Sequence, residues 1–146
     1  MEWPLDEITR TENYRLYWYD DRHSVLVLEI TDHWTWTDAR YAVDRVNQAI
    51  FSAPDKVYSI YHFAAPQAGV IPTGDILGNF KQMMEAEAYE EELVIFVGKD
   101  FLRPIRRFIT IIVDTFSVSQ ASKFHFVDTF EQALELVQQT RSTPAD

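Results

Sequence analysis

The side chains of this sequence that could do chemistry are four histidines, a threonine before a helix-like run, and a pair of tryptophans. His23, His33, His62 and His125 are scattered, and no two stand at metal-ligand spacing. Each reads as a hydrogen-bonded structural histidine, and no metal site is expected. The chain has no cysteine, which removes disulfides, thiolate nucleophiles and cysteine-based zinc sites together. No Gly-rich phosphate loop, Gly-x-Ser-x-Gly elbow or His-Glu-x-x-His pattern is present. The expectation is a protein without enzymatic activity and without a cofactor. Thr73 is the remaining reactive group. It stands in Pro72-Thr73-Gly74, where a hydroxyl caps a helix, with phosphate acceptance or an anion contact as the alternative role. Trp34 and Trp36 flank Thr35 at the start of an earlier helical pattern, as core packing or as a ligand-stacking pair.

The bulk numbers narrow the partners. The chain has 146 residues, 47% hydrophobic and 14% aromatic, enough for one domain with a real core. Its net charge of −10 argues against nucleic acid, which demands a cationic footprint, and against an anionic membrane surface. No apolar window is long enough to span a bilayer, so no membrane insertion is expected. The start, MEWPLDEITRTE, lacks the basic-then-apolar order of a signal peptide, and a cytoplasmic address is expected.

The elements that must position these residues follow from periodicity. Residues 1–12 read as a flexible arm, 13–140 as a single domain and 141–146 as a flexible tail. NYRLYWYD and SVLVLEIT are strands joined by the polar turn at residues 20–23, an antiparallel hairpin. Thr35 and Asp38 open a first helix, with Trp36, Ala39, Val43, Val46 and Ile50 along one stripe. Pro54 ends it. VYSIYHF, residues 57–63, is a strand leading into the long loop 64–72. A second helix is predicted over about 74–89, with acidic residues 85–92 gathered at its end. LVIFV at 93–97 reads as a strand covered on both faces. A third helix is predicted over about 101–116, KFHFV at 123–127 as the last strand, and a final helix capped by Asp128 or Thr129. The resulting order is β-β-α-β-α-β-α-β-α. It predicts an α/β fold with a mostly parallel five-stranded sheet, an antiparallel N-terminal hairpin edge and four helices.

That order, with WTWTDARYAV, IPTGDILGNF and FHFVDTFEQALELV, resembles the STAS fold of anti-sigma-factor antagonists and the wider STAS/SEC14-like group. The resemblance covers about residues 13–139. It implies a bacterial regulatory module acting through protein contacts, with a kinase or anti-sigma-like regulator as partner. In the antagonist family an Asp followed by Ser or Thr opens the second helix, and the hydroxyl is phosphorylated. Thr73 matches that acceptor by position, while Pro72 stands where the Asp is expected. The SEC14-like side of the resemblance implies an alternative, a small apolar-ligand or lipid-binding domain with a pocket near the 64–72 loop.

Two surfaces complete the candidates. The loop, with Gln67, Val70, Ile71, Pro72 and then Gly74, is long for a compact domain and lies at a strand's carboxyl end. It reads as a plain surface loop or as a contact for a ligand or partner. The third predicted helix carries Phe101, Pro104, Phe108 and Ile111 beside its inward stripe. Neighbouring helices cover this flank or a second copy does, and a homodimer is the expectation.

Overall fold

Alternating apolar residues at 14–30 and 57–63 build the centre of one six-stranded sheet in the computed structural model. The structure describes residues 6–54, 56–75, 78–79, 91–98, 103, 106–107, 110–111 and 124–142. Its strands are β1 (Asp6–Arg10), β2 (Tyr14–Trp18), β3 (Val25–Ile30), β4 (Val57–Phe63), β5 (Glu91–Val97) and β6 (Phe124–Val127). They lie side by side in sequence order. β1, β2 and β3 form an antiparallel meander, and β3 through β6 run parallel. Two α-helices are delimited among the described residues, α1 (Trp36–Ser52) and α2 (Phe130–Ser142), with a short 3₁₀ turn at Pro66–Gly69.

The period-two alternation divides the side chains between two faces. On the first face Leu16, Leu26, Leu28, Val57, Tyr61 and Val94 pack with Trp36, Ala42, Val46 and Ile50 of α1. On the second, Tyr17, Val27, Ile60, Ile95 and Val97 pack with Ala133 and Val137 of α2. Leu16, Leu26, Ile60 and Ile95 are almost wholly removed from water. At roughly 1.5–3 kcal/mol per such side chain, the central strands carry much of the stability.

Local signals set the helix ends. Thr35 accepts from the Asp38 amide, and the Asp38 carboxylate accepts from the Thr35 amide, a reciprocal cap. Asp38 also accepts from Asn13 Nδ2 at 3.0 Å, tying α1 to the turn before β2. At α2 the pair is Thr129 and Gln132, with both bonds at 3.1 Å.

The structure corrects the sequence expectation in its element count. The sheet has six strands rather than five, because residues 6–10, read as part of a flexible arm, form β1. The strand DEITR is charged, and Ile8 alone of it packs on the core. An edge strand needs no apolar alternation, so it leaves no such signal in sequence. Two α-helices are delimited among the described residues, not four. The second and third predicted helices, 74–89 and 101–116, lie mostly outside the described residues. Within them Gly78, Asn79, Arg103, Arg106, Arg107, Thr110 and Ile111 are helical. β5 starts at Glu91, so two members of the acidic cluster belong to a strand. α2 runs on to Ser142, past the expected tail boundary.

Candidate functional site

The loop after β4 is the site the sequence singled out, and two tryptophans fix its shape. Trp34 Nε1 donates to the Ala68 carbonyl at 2.7 Å, and Trp36 Nε1 donates to the Thr73 carbonyl at 3.0 Å. Their rings meet edge to face, with centroids 5.4 Å apart. Ala68 is fully buried, and Ile71 packs against the first-face core. The loop is therefore pinned to the entrance of α1. What it leaves in water is a ridge: Gln67, Val70 (53% exposed), Thr73, Gly74 and Asp75. Pro72 is half-buried beside it.

Thr73 is not the cap of the following helical turn. Asp75 Oδ1 accepts from the Gly78 amide at 3.1 Å, and the Asp75 carbonyl accepts from the Asn79 amide at 2.9 Å. Asp75 thus holds the N-cap position. Gly74 has φ of +113°, a left-handed conformation that turns the chain between Thr73 and the cap. An added Cβ at Gly78 would collide with the Asp75 carboxylate, so glycine there keeps room for the cap. The Thr73 side chain is left facing solvent. Arg40 of α1 donates to Asn79 Oδ1 at 3.1 Å, joining the same turn to the helix. Thr37, Arg40, Tyr41 and Asp44 line a shallow depression of about 330 Å³ beside it, where Tyr41 is 66% exposed.

Of the suspected dimer surface, Phe101, Pro104 and Phe108 lie outside the described residues. Ile111 is 44% exposed. Arg103, Arg106 and Arg107 are exposed as well, and Arg106 lies over the Phe126 ring at 5.1 Å.

The histidines are dispersed. His33 is exposed before α1, and His125 is half-buried on β6. His23, at φ +53°, stacks flat on Trp18 and places Nε2 2.5 Å from Asp6 Oδ2, fastening β1 to the β2–β3 turn. Among the described residues no three His, Cys, Asp or Glu side chains converge as a metal site.

Two polar clusters escaped the sequence reading. On the second face Arg15 Nη2 lies 3.3 Å from Glu29 Oε1, and Glu29 Oε2 lies 3.9 Å from His62 Nδ1. The His62 ring packs on Phe130, 5.2 Å between centroids. Burial lowers the His62 pKa, against the opposing pull of Glu29 and Glu131. Burial also pushes the Tyr17 hydroxyl up to about 12, with Glu29 adding to the effect. Register could have revealed this cluster, since Arg15 is paired with Glu29 and Glu29 with His62 across the strands. The second cluster joins the β2–β3 turn to the end of α2. Asp20 accepts from the Ser24 and Val25 amides at 2.9 and 3.0 Å and from Ser24 Oγ at 2.5 Å. Arg141 reaches both Asp20 and Ser24 and lies over the Tyr58 ring. Burial raises the Asp20 pKa, but these hydrogen bonds outweigh it and hold the carboxyl below its usual range. Arg141 had been read as tail, and no local pattern links it to a turn 121 residues earlier.

Comparisons with models of protein families, with curated proteins and with solved structures return no match for this chain. Among the described residues no helix is long and apolar enough to cross a membrane.

Proposed function

We propose that the chain is a non-enzymatic STAS-like protein-interaction module of bacterial regulation, working in the cytoplasm through the ridge at 67–75. The observation that carries this reading is the pinned loop. Two indole N–H bonds hold its backbone while Val70 and Thr73 stand in solvent. A rigid exposed ridge loses little conformational entropy on binding, which suits a recognition surface. Thr73 is the switch in this reading. Its hydroxyl is open to a kinase because Asp75 takes the capping role. A phosphate there would bring about −1.5 to −2 charges next to Asp75 and remake the surface electrostatically. The partner is a protein, a kinase or an anti-sigma-like regulator, and the module is a homodimer.

The same packing weighs against an apolar-ligand pocket under the loop. Phe63 and Ala68 are buried and Ile71 is packed on the same cluster.

The test is affinity capture from the native cell with mass analysis of Thr73, repeated with Thr73→Glu and Val70→Asp. The expected result is a fraction of phosphorylated Thr73 and partner loss in both variants. Unmodified Thr73 throughout, with every partner retained by both variants, would overturn the reading.

A further inference from the structure

The two edges of the sheet are built differently. β1 is blunted by Asp6, Glu7 and Arg10 and by an irregularity in its register between Glu7 and Thr9. Charges and bulges of this kind discourage strand addition. β6, at the opposite edge, pairs with β5 alone among the described residues. Alongside it runs a groove of about 470 Å³ that wraps from one face of the sheet to the other. Arg106 and Phe126 form its wall on the first face. Asp128, Gln132, Glu135 and Gln139 form the wall on the α2 side.

Among the described residues the charges of this groove are segregated and unmatched. Arg106 rests on an aromatic ring and has no carboxylate partner among the described residues. Asp128 and Glu135, exposed on the other wall, have no basic partner there either. A two-fold interface requires that if residue i meets residue j, then j meets i. A patch with a cation on one wall and two acids on the other meets that condition. For a chain of net charge −10, association with a copy of itself must overcome repulsion, and paired charges of this kind do so locally.

We infer that the β6 edge groove is the homodimer interface, occupied by the same groove of a second copy, with Arg106 of each protomer set against Asp128 and Glu135 of the other. The inference rests on the dimer reading above and locates it. It places the contact at the β6 edge lined by Arg106 and Phe126 rather than on the predicted flank of Phe101, Pro104, Phe108 and Ile111.

The experiment is sedimentation velocity of the full chain across a micromolar dilution series. The samples are the wild type, Arg106→Glu, Glu135→Arg, the double variant, and an equimolar mixture of the two single variants. Circular dichroism checks folding, and both substituted positions are exposed. The expected result is a wild-type dimer weakened at least about tenfold by either single change, with dimer restored in the mixture and in the double variant. Slower exchange of β6 amides at high concentration is expected in parallel. A wild-type dimer indifferent to both single changes would overturn the β6 interface while leaving the dimer reading in place. A monomer at high micromolar concentration would overturn both.

Discussion

Replacing Trp34 by Phe tests whether the loop after β4 is held as the geometry implies. The change keeps an aromatic ring and deletes one donor, the indole N–H that reaches the Ala68 carbonyl at 2.7 Å. A neutral hydrogen bond contributes about 1 kcal/mol net when both groups can turn to water instead. Ala68 has no exposed surface, so its carbonyl is left with a desolvation penalty of about 1–3 kcal/mol. We expect a loss of about 2 kcal/mol, read as a lower urea midpoint with an unchanged slope. The same energy should appear locally. The Ala68 and Val70 amides, bonded to Ala65 and Gln67, should exchange about thirtyfold faster. Trp36→Phe supplies the internal comparison. Its acceptor belongs to Thr73, an exposed residue whose carbonyl water can serve, so the hydrogen-bond part of its effect should be near 1 kcal/mol. The two rings touch, so the double variant should depart from additivity. A Trp34→Phe change below about 0.5 kcal/mol with unaltered exchange would show that the bond does not hold the loop.

Three further outcomes follow from the clusters and the edge. Asp20→Asn should cost about 2 kcal/mol at neutral pH, because the charged acceptor of two amides, a hydroxyl and a guanidinium is lost. The Asp20 pKa is lowered on folding, so its contribution is present above the ordinary value of 3.8 and is lost as pH falls through the folded value. The wild-type and variant melting curves should therefore converge in acid. His62 has a lowered pKa too, so protonation favours the unfolded chain. Stability should be full above its ordinary value of 6.5 and fall as pH drops through the folded value, and His62→Phe should flatten that limb in a Tm-against-pH series. Ile8→Asp should destabilise by about 1–2 kcal/mol and raise exchange in β1 ahead of β2, since Ile8 is the residue of β1 that packs on the core. Uniform exchange across both strands would contradict the edge role.

What the sequence made legible was set by how local each determinant is. The α1 stripe, the Thr35–Asp38 cap and the doubly covered run at 93–97 are read from neighbours within a few positions. β1 was missed because an edge strand needs no alternation, and its charged residues look like a solvated arm. The capping role passed from Thr73 to Asp75 because both residue types cap well. The φ of Gly74, a conformational fact, decides between them. Arg141 was opaque for a different reason. Its partners lie across the full length of the domain, and only the docking of α2 brings them together. The role proposed for the ridge as a contact surface rests on exposure and rigidity, which become visible only once the two indole bonds are seen.

The Arg15–Glu29–His62 row lies toward the carboxyl ends of β3 and β4, where open α/β sheets commonly keep their chemistry. Its geometry points instead to a structural task. The 3.9 Å between Glu29 and His62 is too long for a hydrogen bond, so Glu29 does not fix a tautomer as it would for a working base. Phe130, the first residue of α2, packs against the imidazole, and burial lowers its pKa. Glu29 is engaged by Arg15, whose guanidinium lies 4.6 Å from the Tyr17 ring. Each member is thus packed on a neighbour on the sheet or on the incoming helix, although Arg15 Nε is buried without a hydrogen-bond partner, and the row receives the first residue of α2. The start of α2 in turn fixes Asp128 and Gln132 along the β6 groove. The polar row on the sheet is in this way upstream of the surface proposed for dimerisation. His62→Phe should preserve the packing on Phe130 and leave self-association intact, whereas Phe130→Ala should loosen the start of α2 and weaken the dimer. Equal dimer strength in Phe130→Ala and wild type, by sedimentation, would sever that link.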